Sequence, residues 1–147
     1  MDEIDRQIVA LLREDARRSF LSIGARVSLS APAVKRRVDR LEADGVLRGY
    51  TARVDPGRFG WGTHAIVALF CVGRMAAGEV RDVLEHHPEV ESAYTVAGEA
   101  SAMVHVRARD TPHLEETLAR IRDHPGVTRT QTQVVLSTLF ERPFEAG

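Results

Sequence analysis

Lys35, Arg36, Arg37 and Arg40 fall within two turns of one predicted helix in the stretch SLSAPAVKRRVDRLEADG (residues 28–45), and Asp39 is the sole acid among them. Such side chains do one kind of chemistry unaided: they bind anions. A guanidinium can donate two parallel hydrogen bonds, to guanine O6 and N7 or to two phosphate oxygens, whereas an ammonium meets a phosphate as a point charge. A helical wheel separates their roles. With Val34 at zero, Val38 and Leu41 fall at about +40° and −20° and define a buried stripe, while Pro32, Arg36 and Arg40 fall at about 160°, 200° and 240° and face outward. Lys35 and Arg37 flank the stripe. Arg36 is therefore expected to read a base edge, and Ser30, Lys35, Arg37 and Arg40 to contact phosphates, with small Ala31 and Ala33 letting the backbone approach closely. A solvated charged face is the plainer reading of any such run, so the surrounding elements must decide.

No other grouping in the chain promises covalent or metal chemistry. His86, His87, His105, His113 and His124 show neither an HExxH nor a Cys/His zinc spacing, so no metal site is expected. His86, His87 and His124 are placed instead at helix C-termini, where an imidazole suits the dipole. GEAS (98–101) and DPGRFGWG (55–62) lack the spacing and the basic residue of a phosphate loop. No nucleophile, base and orienter stand together, so no catalytic residue and no cofactor are expected. Trp61 is expected to pack the hinge, and Cys71, the only cysteine, to be a small buried thiol.

The elements that must position the basic helix are legible from periodicity. Ile4, Ile8, Leu11 and Leu12 mark an amphipathic helix from Asp2 to about Arg17, and Leu21, Ile23 and Val27 mark a shorter second one. SLS at 28–30 leaves room only for a turn. Ser30 then caps a third helix, Pro32 sits in its first turn, and Gly45 ends it beyond Asp44. VLRGYTARVD alternates like a short wing strand, and DPGRFGWG, with its glycines and proline, reads as a hinge. Helix, helix, tight turn, basic helix and wing is the order of a winged helix-turn-helix.

The second half contains an echo: LEHHPEVES and IRDHPGVTR each carry a helix into His-Pro-x-Val. Each copy reads as strand, helix, strand: Thr63 to Val72, Ala76 to His87 and Val90 to Ala97, then Ser101 to Arg109, Pro112 to His124 and Val127 to Leu139. The order βαββαβ is ferredoxin-like, an α+β arrangement with both helices on one face of the sheet. In HAIVALFCV both alternating sets are apolar, so the uncovered face needs a partner. A dimer packed sheet to sheet is expected.

Composition agrees with two such modules. The chain has 147 residues, 44% hydrophobic and 28% charged, with a formal net charge of −1, the profile of an ordinary soluble protein. That charge is uneven: residues 1–60 hold 12 Lys+Arg against 9 Asp+Glu, and residues 61–147 hold 8 against 12. An anionic partner is therefore expected to meet the first half. MDEIDRQIV lacks the basic start and apolar stretch of a secretory signal, and the longest apolar run, Ala65 to Val72, is too short to span a bilayer, so a cytoplasmic protein is expected.

Nearly the whole chain resembles the Lrp/AsnC (leucine-responsive, feast/famine) transcription regulators. The resemblance is carried by DEIDRQIVALLREDARRS, by LSAPAVKRRVDRLEADGVLRGYTARVDPGRFG and by VTRTQTQVVL. It implies a winged helix-turn-helix over residues 1–54, a hinge over 55–62, and over 63–147 a ferredoxin-like domain that dimerises and binds an amino acid. By that likeness Ser30, Ala31, Ala33, Lys35, Arg36 and Arg37 face double-stranded DNA, and homodimers join into higher assemblies such as an octamer. It also implies an effector pocket where dimers meet. The loop that usually reads Gly-x-x-Asp is here Gly98-Glu99-Ala100-Ser101, so Glu99 is left to accept the ammonium, with Ser101 a weaker acceptor. Backbone N–H groups of Gly98 and Ala100, with Thr130, Thr132 and Gln133, would hold the carboxylate. Siroheme decarboxylases look similar and form the enzyme alternative, in which His105 or Arg107 would serve a tetrapyrrole. An effector-independent architectural DNA-binding protein is the third reading.

Overall fold

The computed structural model describes residues 1–73 and 75–141. Among these, the chain divides into two compact units, Met1–Arg53 and Val54–Glu141.

Three helices build the first unit: α1 (Glu3–Glu14), α2 (Phe20–Val27) and α3 (Ala31–Ala43). Each begins at a polar cap, because the first backbone N–H groups of a helix have no partner inside it. The Asp2 carboxylate accepts from Asp5 N–H at 2.8 Å and the Asp5 carboxylate accepts from Asp2 N–H at 2.9 Å. Ser19 accepts from Ser22 N–H at 3.2 Å, and Ser30 from Ala33 N–H at 3.4 Å. The apolar stripes then close on one another, burying Ile8, Leu12, Ile23, Val27, Val34, Val38 and Leu41 together. α1 stops at Glu14, short of the expected Arg17. Asp15 turns extended, and its carboxylate accepts from Arg17 N–H at 2.9 Å, a local bond that competes with another helical turn.

The short strand expected over VLRGYTARVD does not form: residues 46–55 carry neither helix nor strand. Alternation alone does not make a strand, which exists only as one side of a ladder. Among the described residues no backbone hydrogen bond engages residues 48–52.

In the second unit a single 3-10 turn (Pro56–Phe59) precedes β1 (Thr63–Cys71), α4 (Ala77–Leu84), β2 (Val90–Thr95), β3 (Ala102–Ala108), α5 (Thr111–Arg122) and β4 (Val127–Val134). The strands form one antiparallel sheet in the order β2-β3-β1-β4. One face, carrying Ala65, Val67, Leu69, Val104, Val106 and Ala108, is sealed by Val80, Val83 and Leu84 of α4 and by Leu114, Leu118 and Ile121 of α5. On the opposite face Ile66, Ala68, Phe70, Met103, His105 and Arg107 remain half-buried. Cys71 lies half-buried against the sealed core, less enclosed than expected.

Three boundaries contract. α4 ends at Leu84 and α5 at Arg122, so His86, His87 and His124 lie past the helix ends rather than in the last turns. The internal echo is in the turns that follow: Val90 N–H donates to the His87 carbonyl at 3.0 Å and Val127 N–H to the His124 carbonyl at 2.9 Å. β4 ends at Val134, opposite Ala65 of β1, and Val135 N–H makes one further bond to the His64 carbonyl at 2.8 Å. Beyond it Leu136 stands 96% exposed.

A buried polar cluster that the sequence did not announce locks α5 to the start of β2. Glu89 and His113 are buried, and Glu89 Oε1 accepts from His113 Nε2 at 3.0 Å and from the Arg120 guanidinium. His113 Nδ1 accepts from Arg109 N–H at 3.1 Å, so the ring proton sits on Nε2 and is donated to Glu89. Thr117 Oγ1 donates to the His113 carbonyl at 2.8 Å. Trp61 packs its ring against His113, with centroids 5.6 Å apart.

Candidate nucleic-acid interface and effector loop

α3 is set by its junction with α2. Leu29 N–H donates to the Gly24 carbonyl at 2.9 Å, and Ser28 adopts a left-handed φ of 56° to turn the chain toward Ser30. The turn is possible because position 24 has no side chain: a Cβ there would lie 2.2 Å from the Leu29 carbonyl oxygen. Gly24 escaped the periodicity analysis, which weighs apolar residues and ignores a missing side chain.

The four cations of α3 divide into two pairs. Arg36 is exposed and makes no hydrogen bond or ion pair among the described residues. Lys35 is exposed and holds Asp39 at 2.6 Å, one helical turn on. Such an exposed pair contributes only about 0.3–0.5 kcal/mol and is readily exchanged for a phosphate. Arg37 and Arg40 instead turn back onto α1. Arg37 Nη1 donates to Asp2 Oδ2 at 2.6 Å and to Asp5 Oδ1 at 2.7 Å, and Arg40 Nη2 donates to Asp5 Oδ2 at 2.7 Å. Both are expected to reach for phosphates; in this chain each is bonded to an α1 carboxylate, and the Arg40 side chain stays 53% exposed. The reason is Asp5, whose side chain is 1% exposed and whose charge requires partners at that depth. Ser30 spends its oxygen on the α3 cap while remaining exposed, and Ala31 and Ala33 are half-buried, with Pro32 on the surface between them.

Burial pushes the Asp5 carboxyl up, but Asp2 N–H, Arg37 and Arg40 outweigh it and hold it below the usual 3.8. A depressed carboxyl contributes stability that is complete above the unfolded value and lost as pH falls through the folded one. Acid titration followed by far-UV circular dichroism should therefore show the α1–α3 clamp failing below about pH 4, with Asp5→Asn less stable than the parent at neutral pH and flatter below it.

In the second unit the loop between β2 and β3 holds Gly98 at φ 148°, a conformation open to glycine. Glu99 is exposed, and Ala100 is half-buried. Ser101 ties the loop down: its N–H donates to the Leu69 carbonyl at 2.8 Å and its Oγ accepts from Cys71 N–H at 3.1 Å. The serine hydroxyl is thus engaged in holding β1.

The expected effector set is not gathered in one place. Thr130 and Thr132 pair with Leu69 and Val67 on the helix-covered face, whereas Gln133 pairs with Ile66 on the open face. Ser101 and Thr130 flank Leu69 from its two sides, roughly 10 Å apart as two strand spacings require. A groove of about 610 Å³ that the sequence did not reveal runs between α4 and β2, and its lining includes Thr95 and Ala102 at the two roots of the loop. Among the described residues no three His, Cys, Asp or Glu side chains cluster to hold a metal ion.

Comparison with known proteins matches both units. The AsnC-type helix-turn-helix domain matches residues 1–42 and the Lrp/AsnC ligand binding domain residues 65–143. The HTH-type transcriptional regulator Rv2324 of Mycobacterium tuberculosis is 49% identical over 142 residues, covering 97% of this chain and 96% of that one. The crystal structure of the M. tuberculosis leucine response regulatory protein LrpA superposes with a TM-score of 0.87 at 39% identity, covering 98% and 99% of the two chains. The M. tuberculosis feast or famine regulatory protein Rv3291c, solved in complex with L-methionine, superposes with a TM-score of 0.90 at 38% identity over 98% and 97%. With a capped, tightly turned basic helix in the first unit and a four-stranded βαββαβ sheet in the second, the chain belongs to the Lrp/AsnC family of transcriptional regulators.

Proposed function

We propose that this regulator binds operator DNA as a homo-oligomer through α3, and that an amino acid held at the Gly98–Ser101 loop shifts its assembly. The observation that carries the first part is Arg36: an exposed, unpaired guanidinium in the second turn of a capped helix, displayed by a turn that only Gly24 permits. Arg36 reads a base edge, Lys35 and Ser30 contact phosphate, and Arg37 and Arg40 hold α3 in place. The modules are proposed as 1–54, 55–62 and 63–147.

Two copies would complete what one chain leaves open. The uncovered sheet face gains a partner, and the backbone of residues 48–52 gains a strand to pair with. Dimers then set two α3 helices in successive major grooves, about 34 Å apart, on imperfectly palindromic sites. L-methionine in the Rv3291c structure supports an amino-acid ligand here. Glu99 is the stronger acceptor for its ammonium, because its carboxylate is charged and the Ser101 hydroxyl, which also accepts from Cys71 N–H, is not. The site needs no cofactor. A tetrapyrrole enzyme is disfavoured because Arg107 is already paired with Glu91 at 2.5 Å. A cytoplasmic location fits DNA as the partner, and no helix among the described residues is long and apolar enough to cross a membrane.

Gel shift on the DNA upstream of the protein's own gene, with and without an amino-acid mixture, tests both halves. Arg36→Ala should cost about 1–3 kcal/mol at particular base pairs and relax preference there. Lys35→Ala should weaken all sequences alike and lower the salt slope by about one. Equal loss on every sequence for both variants would refute the division of roles, and no response to any amino acid would refute the effector.

A further inference from the structure

The open face of the sheet carries a pair of histidines at its centre. Ile66 opposite His105 is the middle pair of the β1–β3 ladder, and His64 projects from the same face beside it. Their rings lie 5.5 Å apart, with the Tyr94 ring 6.1 Å from His105. His64 Nε2 is buried and has no hydrogen-bond partner among the described residues. Among the described residues neither imidazole is hydrogen-bonded to a carboxylate, unlike His113 in the same unit.

We propose that these two histidines make the sheet-to-sheet association of two copies proton-linked, favouring the pair when the imidazoles are neutral and separating it when they charge. The inference rests on the sheet-to-sheet dimer proposed above. An interface related by a two-fold axis sets each patch against itself, so residues at the centre of the face meet their own copies. Two sheets about 10 Å apart would bring four imidazoles together where each chain alone has two.

The charged groups around them are the cations Arg107 and Arg129 and the carboxylates Glu91 and Glu141, so added positive charge is offset only in part. Arg107 of β3 is committed to Glu91 of β2 at 2.5 Å, and Arg129 of β4 lies 3.7 Å over the Phe70 ring. Glu141, beyond β4, is the second carboxylate acting on His64 beside Glu91. Already in a single chain, burial and then Arg107 hold the His64 imidazole below the usual 6.5, with His105 adding to the effect against Glu91 and Glu141. Covering the face with a second copy strengthens that burial. Association therefore expels protons, and the affinity between copies falls as pH drops through the histidine range.

Sedimentation equilibrium of the full chain at constant ionic strength, from about pH 8 to about pH 5.5, reads this directly. The dissociation constant between copies should rise by roughly tenfold for each proton taken up per pH unit. The double variant His64→Gln/His105→Gln should remain paired and lose most of that slope. Far-UV circular dichroism across the same range separates dissociation from unfolding. A paired protein whose dissociation constant does not change with pH overturns the inference alone, as does a double variant with the parental slope. A chain monomeric at every pH overturns the dimer itself.

Discussion

Gly24→Ala is expected to disable the first unit while leaving the second folded. A methyl group at position 24 would lie 2.2 Å from the Leu29 carbonyl oxygen and 3.3 Å from its carbon, and both are backbone atoms of the turn. No rotamer change relieves that contact; α2 and α3 must separate or the turn must be rebuilt. Overpacking against backbone costs about 3 kcal/mol, a large share of the stability of so small a core. The turn sets the angle at which Arg36 is displayed, so operator binding should disappear even at temperatures where helix content survives. Gly45→Ala is the control. That position has φ +70° but nothing within 4 Å of an added Cβ, so the cost is confined to backbone strain of about 1–2 kcal/mol. Circular dichroism melting and gel shift on both variants check the contrast, and equal losses would refute the steric argument.

Glu89→Ala is expected to be the most damaging single change in the second unit. The Glu89 carboxylate is 4% exposed and joins His113 and Arg120 of α5 to the start of β2. Its removal leaves the His113 Nε2 proton buried without an acceptor and opens a cavity. Breaking a buried pair in this way costs about 3 kcal/mol or more, although half-exposed Arg120 can recover solvent. Glu89→Gln separates the contributions, because the amide oxygen still accepts from His113 while the charge is gone; its loss should be smaller. Burial raises the Glu89 carboxyl, but its own backbone N–H, Arg120 and His113 outweigh that and leave it below 4.5. The stability it supplies is therefore complete above that value and fades as pH falls through the lower folded one. Chemical denaturation at about pH 7 and about pH 4 should show the parent losing more stability than Glu89→Gln.

Helix starts were legible because capping is local. Ser30 acts on an N–H three residues away, and the apolar stripes repeat within two turns. Helix ends and strand lengths were less so. α1 loses its last turn to an Asp15 side chain, and β4 stops at Val134, opposite Ala65, short of the expected Leu139. The strand over 46–55 was overread, since alternation marks a candidate strand and only a neighbour makes one.

By itself the sequence determined the order of elements, the two buried stripes, the outward position of Arg36 and the family. The first three follow from periods and caps spanning a few residues, and the family from the resemblance of whole stretches such as VTRTQTQVVL. Tertiary structure alone decided which cations remain free, that Gly24 is indispensable, and that Thr132 and Gln133 face opposite ways. Asp5 and Arg37 lie 32 residues apart, and Glu89 and His113 lie 24 apart. A charge finds its partner only after burial has removed water as the alternative, and burial is a property of the packed chain.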